Sequence, residues 1–154
     1  MKIERVAKKD EQNVIVYLDN GEKLFLSYEV LLKNGLRKDA EISESRFSLL
    51  VRENQRFHIK QRALNYLARR IHSRNELKIK LLQKKYDKDL IEDVLHNLTE
   101  NNLIDDTQFA IRFAEEKIRT KLWGSRKLKA ELFKKGIDKE IIDEILKQFF
   151  PEGE

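Results

Sequence analysis

The sequence predicts a mainly α-helical protein with two tandem three-helix repeats, preceded by a small antiparallel β meander. Three observations support this. Apolar residues recur in the second half at one offset (128 − 77 = 51), as in the pairs Leu77/Leu128, Leu81/Leu132, Ile91/Ile142 and Leu95/Leu146. Near the N-terminus apolar residues recur at every second position, as at Val14, Val16 and Leu18, which is typical of strands. The 154 residues include only one Pro and five Gly, which leaves long stretches free to be helical.

The N-terminal segment carries the strand pattern. Residues 2–7 and 13–18 read as strands because β-branched and apolar side chains recur every second position, for example at Val14 and Val16. Asn20-Gly21 is a strong tight-turn signal, since both residues accept a positive φ. The chain then returns over residues 23–26, which completes a predicted three-stranded meander that must pack on the following helices to be stable.

Two helices are predicted between the meander and the repeats. Ser27 is placed to cap a short helix over residues 28–33, which Asn34-Gly35 closes. A linker follows, and Ser43 opens a long amphipathic helix. The pattern leaves open whether that helix continues unbroken to Arg70.

Each repeat is predicted to contain three helices. Ser73 and Asp87 are the expected N-caps in the first repeat and Asp138 in the second, while Gly136 is the expected C-cap glycine. Leu77, Leu81 and Leu82 are expected to face the core. The basic residues of the same helix, Arg74, Lys78, Lys80 and Lys84, are expected to lie largely outside. The predicted helices are 63–70, 74–84 and 88–101 in the first repeat, and 107–122, 126–135 and 139–149 in the second.

These elements predict a division of the chain into five segments. They are a β meander (1–27), a helical linker region (28–54), the first three-helix repeat (55–104), the second three-helix repeat (105–150) and a short tail (151–154).

Charge is placed unevenly along the chain. The formal net charge is +5, and the excess lies in residues 55–104, with eleven basic and six acidic side chains. Ten basic residues stand between Arg56 and Lys85 against Glu76 alone, and eight stand between Lys117 and Lys135 against Glu131 alone. Acids return in the last helix of each repeat. A single basic block would suggest only a solvated surface, whereas two blocks at equivalent positions fit a polyanion partner as well as they fit a solvated surface.

The sequence offers little for catalysis. His58, His72 and His96 stand apart with no metal-ligand spacing, and Asp105-Asp106 is best explained as the start of a helix. Trp123, in a basic loop, could stack on a base or wedge between the repeats. We therefore expect no enzyme activity, no metal and no cofactor. The lack of Cys fits a reducing cytoplasm, and the sequence shows neither a signal peptide nor a membrane span.

Several motifs, in their order and spacing, resemble those of the RecX family. The resemblance covers about residues 55–146, where Leu103–Ala110 matches that family's Asp-Asp-x-x-(Tyr/Phe)-Ala segment. The other matching segments are 63–70 followed by 73–77 in the first repeat, and Gly124 with Arg126, Glu131-Leu132 and Lys135–Ile137 in the second. Two clear repeats are present, where three are common in that family.

The resemblance implies a helical array that binds the RecA recombinase and modulates it, usually negatively. RecX proteins engage the RecA–DNA filament and limit strand exchange, ATP hydrolysis and co-protease activity without catalysis of their own. This protein would then be a cytoplasmic monomer in DNA repair, recombination and the SOS response. Its partners would be RecA, its nucleoprotein filament, and single- or double-stranded DNA, with no membrane partner.

Ten basic residues are the candidate contacts with DNA phosphate or with an acidic RecA surface. They are Arg69, Arg70, Arg74, Lys78, Lys80, Lys84, Lys121, Arg126, Lys127 and Lys129. Two other interpretations stay open at this point. The chain could be a general nucleic-acid-binding module without a recombinase partner, or a helical protein adaptor whose basic residues only solvate its surface.

Overall fold

The computed structural model describes residues 1–153, which form three strands and seven helices. This confirms the predicted fold class. The strands are β1 (Ile3–Lys8), β2 (Asn13–Leu18) and β3 (Lys23–Ser27). The helices are α1 (Tyr28–Lys33), α2 (Glu44–Arg69), α3 (Arg74–Gln83), α4 (Lys88–Glu100), α5 (Asp106–Lys121), α6 (Ser125–Lys134) and α7 (Lys139–Phe149).

The strands form an antiparallel sheet in the order β1-β2-β3. Val14 and Val16 of β2, with Leu24 of β3, lie on its buried face as their alternation predicts. Gly21 adopts a φ of +87°, so the Asn20-Gly21 turn uses the positive φ that glycine tolerates. One register irregularity lies between Ile3 and Arg5 in β1.

The first of two compact units comprises Met1–Gln61. Ser27 caps α1 by accepting a hydrogen bond from the Val30 amide, as predicted. Asn54 of α2 holds the end of β3, because its side-chain oxygen accepts from the Ser27 amide at 2.8 Å while its Nδ2 donates to the Phe25 carbonyl at 3.0 Å. The helix α2 is unbroken to Arg69, which answers the question that periodicity left open.

The second unit begins at Arg62 and contains both repeats. The second and third helices of each repeat start at the predicted offset, 125 − 74 = 51 and 139 − 88 = 51. Ser73 caps α3 in a reciprocal capping box with Glu76. Gly136 has a φ of +76° and follows α6, as expected of a C-cap glycine. The two compact units do not test the finer division into five segments, which stays a prediction.

One predicted core residue is misplaced. Leu77 and Leu81 are fully buried, but Leu82 is 39% exposed, and its counterpart Phe133 in the second repeat is 76% exposed. Adjacent helical residues point about 100° apart, and the packing of α3 turns Leu81 into the core and leaves Leu82 at its edge. The repeated apolar position at the end of the second helix is therefore a surface feature.

The two repeats are joined by specific contacts. The Asp106 carboxylate of α5 accepts a hydrogen bond from the Arg74 backbone amide at 2.8 Å and so satisfies an unpaired donor at the start of α3. Burial raises the pKa of Asp106, and the Arg74 amide opposes that rise. A Cβ added to Gly136 would lie 2.6 Å from Cγ of Asn75. The positive φ thus favours glycine there, and the close approach of α3 leaves no room for a larger side chain.

Candidate nucleic-acid and protein interface

The ten basic residues singled out from the sequence all lie in the second unit or at the end of α2, around α3 and α6. The structure separates them into residues held by internal partners and residues without one. This distinction matters because a cation that already pairs with a carboxylate must give up that pair before it can bind phosphate.

Arg74 and Lys78 share one carboxylate. Arg74 Nη2 lies 2.6 Å from Glu92 Oε2 and Lys78 Nζ lies 2.8 Å from Glu92 Oε1, so the acid on α4 bridges two successive turns of α3. Hydrogen bonds from Lys78 and Arg74 lower the pKa of Glu92 to about 2. Both cations are half-buried, which corrects the expectation that they lie largely outside.

Lys80 also has an internal partner. Its Nζ lies 2.7 Å from Nε2 of the buried His72 and 4.9 Å from the centre of the Tyr66 ring. An ammonium only donates, so Nε2 accepts, and Nδ1 donates to the Arg70 carbonyl at 3.0 Å. Burial lowers the pKa of His72, which agrees with a neutral ring. Lys80, predicted to lie outside, is therefore half-buried.

Arg70 completes the set of engaged cations in the first repeat. Its Nη2 lies 2.7 Å from Glu76 Oε2. Burial alone would raise the pKa of Glu76, but the Arg70 side chain and the Ser73 amide together lower it. Arg69 and Lys84 are exposed, and within residues 1–153 the structure shows no ion pair for either.

The second repeat presents its cations more openly. Lys121 at the end of α5 and Arg126 and Lys129 on α6 are exposed, and the described part of the chain gives none of them an ion pair. Lys127 pairs with Glu131 at 3.0 Å, one helical turn away, and this lowers the pKa of Glu131. Arg126 and Lys129 are three residues apart on α6, so they lie on one accessible surface of the helix.

Trp123 packs inside the second repeat. Its ring lies edge-on to Phe113 at 5.9 Å, within the buried cluster of that repeat. Lys117 and Lys127 lie 5.6 Å and 5.3 Å from the ring centre, within cation–π range. The ring therefore holds the loop before α6 in place. Stacking on a base stays a prediction.

Exposed apolar side chains accompany the free cations. Besides Phe133, Leu122 is 84% exposed and adopts a φ of +55° after the end of α5. Phe133 is one turn beyond Lys129 on α6, so an apolar and a cationic group share one helix surface. Such a mixture suits a protein surface better than DNA phosphate alone.

Sequence reasoning missed the acids that form ion pairs with the candidate cations. Glu92 is 18 residues from Arg74 and lies on another helix, so no local pattern could pair them. The Lys127–Glu131 pair, in contrast, has the i, i+4 spacing that a sequence can show. The buried state of His72 was also not apparent, although its place just before the capping residue Ser73 was a usable signal.

Residues 1–153 contain no cluster of three or more His, Asp or Glu side chains able to hold a metal ion. Asp105 caps α5 by accepting from the Gln108 amide at 3.1 Å, which confirms its structural role. In the same range no helix combines the length and apolarity that crossing a bilayer requires.

Comparison with family models assigns both repeats. Residues 60–98 match the model described as "RecX, first three-helix domain", and residues 105–146 match "RecX, second three-helix domain". These ranges cover all of α3, α5 and α6 and most of α4 and α7, and they contain all ten candidate cations, including Arg69 at the end of α2.

Whole-chain relatives agree with the domain matches. "Regulatory protein RecX" of Clostridium acetobutylicum is 30% identical over 147 residues, which cover 96% of this chain and 68% of that protein. The protein of the same name from Halalkalibacterium halodurans is 34% identical over 151 residues, which cover 96% of this chain and 57% of that one. The chain thus spans between about half and two-thirds of these relatives' length.

Two solved structures share the fold. A crystal structure of regulatory protein RecX superimposes with a TM-score of 0.78 at 28% identity, covering 99% of this chain and 75% of that chain. The crystal structure of RecX from Lactobacillus salivarius gives a TM-score of 0.61 at 27% identity, with 65% of each chain covered.

Proposed function

The chain belongs to the RecX family of regulatory proteins, and from this premise we propose that it is a non-catalytic inhibitor of the RecA recombinase in the cytoplasm. It binds RecA or the RecA–DNA filament and thereby limits strand exchange, ATP hydrolysis and co-protease activity. The observation that carries the proposal is the set of exposed cations without an internal partner in the second repeat, Lys121, Arg126 and Lys129.

The proposed contact combines two forces. When a lysine or arginine side chain contacts DNA phosphate, counterions condensed on the DNA are released. This release favours binding and makes the affinity depend steeply on salt concentration. The exposed Phe133 beside them adds apolar area that bare phosphate cannot cover but a protein surface can. A filament offers both at once, because RecA subunits and the DNA they coat lie side by side.

Stacked helical repeats suit a long partner. Each repeat contacts its neighbour through the Asp106 and Gly136 contacts, so the second unit can present its surface without ordering a loop on binding. A pre-ordered surface loses less entropy on association than a flexible one. One bound molecule could then block addition of further RecA subunits along the DNA.

The test is the ATPase activity of RecA on single-stranded DNA, with this protein added well below one copy per RecA at low and moderate salt. Inhibition at such substoichiometric amounts is the expected result, because a block to filament growth acts on many subunits. No inhibition by the folded protein at either salt would contradict the proposal.

A pair of matched variants assigns the effect to the proposed surface. Arg126→Glu with Lys129→Glu should weaken inhibition about tenfold or more, since two phosphate contacts are lost and repulsion is introduced. Lys139→Glu with Lys147→Glu makes the same change in net charge on α7, where both side chains are exposed, and should leave inhibition nearly unchanged.

A protein adaptor is the second candidate, favoured by the exposure of Leu122 and Phe133. Binding to RecA without DNA that resists salt and is lost in Phe133→Ala would support a protein contact over a phosphate contact. Equal affinity for bare DNA and for RecA-coated DNA would instead indicate a general nucleic-acid-binding module.

A further inference from the structure

The outward face of the sheet in the first unit has an unusual composition. One face of the meander covers the core, and the paired positions of the other face point away from it. This second face, the outer sheet face, is made by Arg5, Ala7, Ile15, Tyr17, Lys23 and Phe25. These residues contain two cations and two aromatic rings, and no acid.

The register arranges these residues in two rows. Arg5, Tyr17 and Lys23 lie directly opposite one another across the three strands. The Arg5 guanidinium lies 3.9 Å from the centre of the Tyr17 ring, and Lys23 Nζ lies 5.6 Å from it. The first row is thus an aromatic ring with a cation on each side.

The second row is apolar. Ala7, Ile15 and Phe25 face one another across the strands, and Phe25 is 51% exposed. Lys9, just beyond β1, places its Nζ 5.0 Å from the Phe25 ring centre. Tyr17 and Phe25 are diagonal neighbours, which sets them roughly 7–8 Å apart.

Three acids near the sheet accept hydrogen bonds in its turns. Asp10 accepts hydrogen bonds from the Gln12 and Asn13 amides, both at 2.8 Å. Asp19 accepts from the Lys2 amide, and Glu22 accepts from the Asn20 side chain. Glu4 lies at the register irregularity, outside the six paired positions. The six paired positions of the outer sheet face therefore carry two cations and no acid.

We propose that the outer sheet face is a binding site for single-stranded nucleic acid. One unpaired base stacks on the exposed Phe25 ring, and a neighbouring base stacks on the Arg5 guanidinium above Tyr17. Lys9 and Lys23 contact the backbone phosphates on either side. The site needs neither RecA nor the cations of the repeats, so it goes beyond the regulatory function proposed above.

Cross-strand packing alone explains only part of this arrangement. It accounts for the Arg5–Tyr17 contact, which is an ordinary cation–π pair. It does not explain a half-exposed Phe25 with a lysine beside it and no acid among the facing residues. Cations and exposed rings on one strand surface are the combination that recognises unpaired bases, because every base offers an aromatic face and every nucleotide a phosphate.

The test measures the fluorescence anisotropy of labelled oligo-dT and oligo-rU on titration with the full chain. Phe25→Ala should weaken binding of both about tenfold, while Phe25→Trp should retain it because the larger ring still stacks. Phe25→Leu keeps apolar area without a ring and should resemble the alanine variant. Leu32→Ala, which removes an exposed leucine of α1 in the same unit, is the matched control and should change nothing.

Repeating the titration with Arg126→Glu and Lys129→Glu present separates this site from the repeat surface. The effect of Phe25→Ala should persist there, and should persist even if the chain fails to inhibit RecA. Unchanged oligonucleotide affinity in Phe25→Ala, in both backgrounds, would overturn the proposal. So would a loss of RecA binding with oligonucleotide binding intact, which would assign the outer sheet face to a protein partner.

Discussion

The two repeats share their helices but differ in what their cations do. The first repeat holds the whole formal excess of positive charge, yet four of its six candidate cations (Arg70, Arg74, Lys78 and Lys80) already have an internal partner. In the second repeat one candidate of four, Lys127, is paired. The second repeat, which has less net positive charge, therefore has more candidate cations without an ion pair.

The difference comes from small changes at equivalent positions. Glu92 of the first repeat corresponds to Asp143, whose side chain is one methylene shorter, and Arg74 corresponds to Ser125. Lys129 occupies the place of Lys78, and no ion pair joins it to Asp143 in the part of the chain that the structure describes. Charge counting along the sequence thus does not show which cations are accessible.

The largest expected effect tests whether the repeats are equally well packed. Leu77→Ala and Leu128→Ala remove equivalent, fully buried side chains and should each lower the free energy of unfolding by about 3 kcal/mol. Urea unfolding followed by circular dichroism measures both. A decrease of less than about 1 kcal/mol in the free energy of unfolding for either variant would mean that its repeat is loosely packed. The two repeats would then differ in their cores as well as in their cations.

The next effect tests the contact between the repeats. Gly136→Ala should cost about 2 kcal/mol, because alanine is strained at this φ and its Cβ would meet Asn75. Gly35→Ala is the matched control, since Gly35 also has a positive φ but no atom within 4 Å of the added Cβ. Equal costs in thermal unfolding would show that the close approach contributes nothing.

The third effect compares the cations directly. Arg126→Gln with Lys129→Gln should weaken oligonucleotide binding about tenfold and reduce the salt slope by about 1.4, or 0.7 per lost contact. Arg74→Gln with Lys78→Gln should weaken it less, because Glu92 already occupies both side chains. Anisotropy titrations at several salt concentrations measure both effects. Equal losses of oligonucleotide affinity would contradict the proposed difference in cation accessibility between the repeats.

The smallest effect concerns Glu92 itself. Glu92→Gln should cost about 1 kcal/mol or less, because a carboxylate that is 34% exposed is screened by solvent. Its pKa is lowered in the folded state to about 2, so the stabilisation is present above the ordinary value of 4.5 and disappears as the pH falls toward 2. Urea midpoints of the wild type and the variant should therefore converge between pH 5 and pH 2.

The same variant should also release two cations. Oligonucleotide affinity at neutral pH should rise about two- to threefold in Glu92→Gln, as Arg74 and Lys78 become available. Asp143→Asn is the matched change in the second repeat and should have a smaller effect. A larger rise in Asp143→Asn would reverse the proposed difference between the repeats.

Sequence patterns predicted the helices well where local chemistry decides them. Ser73, Asp87 and Asp105 each cap the helix that follows, because an N-cap needs only a short polar side chain two or three residues before an amide. The offset of 51 predicted the starts of α6 and α7 from those of α3 and α4. These features depend on residues close together in the chain.

The candidate site could be predicted only as a list of cations. Whether a lysine is accessible depends on an acid that another helix brings near, as Glu92 does for Lys78. The error at Leu82 has a related cause, since Leu81 and Leu82 are adjacent and the pattern does not show which of them the neighbouring helices bury. The approach of Asn75 to Gly136 likewise depends on how the helices stack, which periodicity does not determine.

The contacts at the join between the copies make the array directional. Asn75 corresponds to Arg126 in the other copy, and Gly136 corresponds to Lys85, which also has a positive φ of +64°. With the order of the copies exchanged, Lys85 would meet Arg126, so a glycine in contact with an amide would be replaced by two long side chains of like charge. The duplicated units are therefore no longer interchangeable, and the chain has a fixed polarity along which any partner must align.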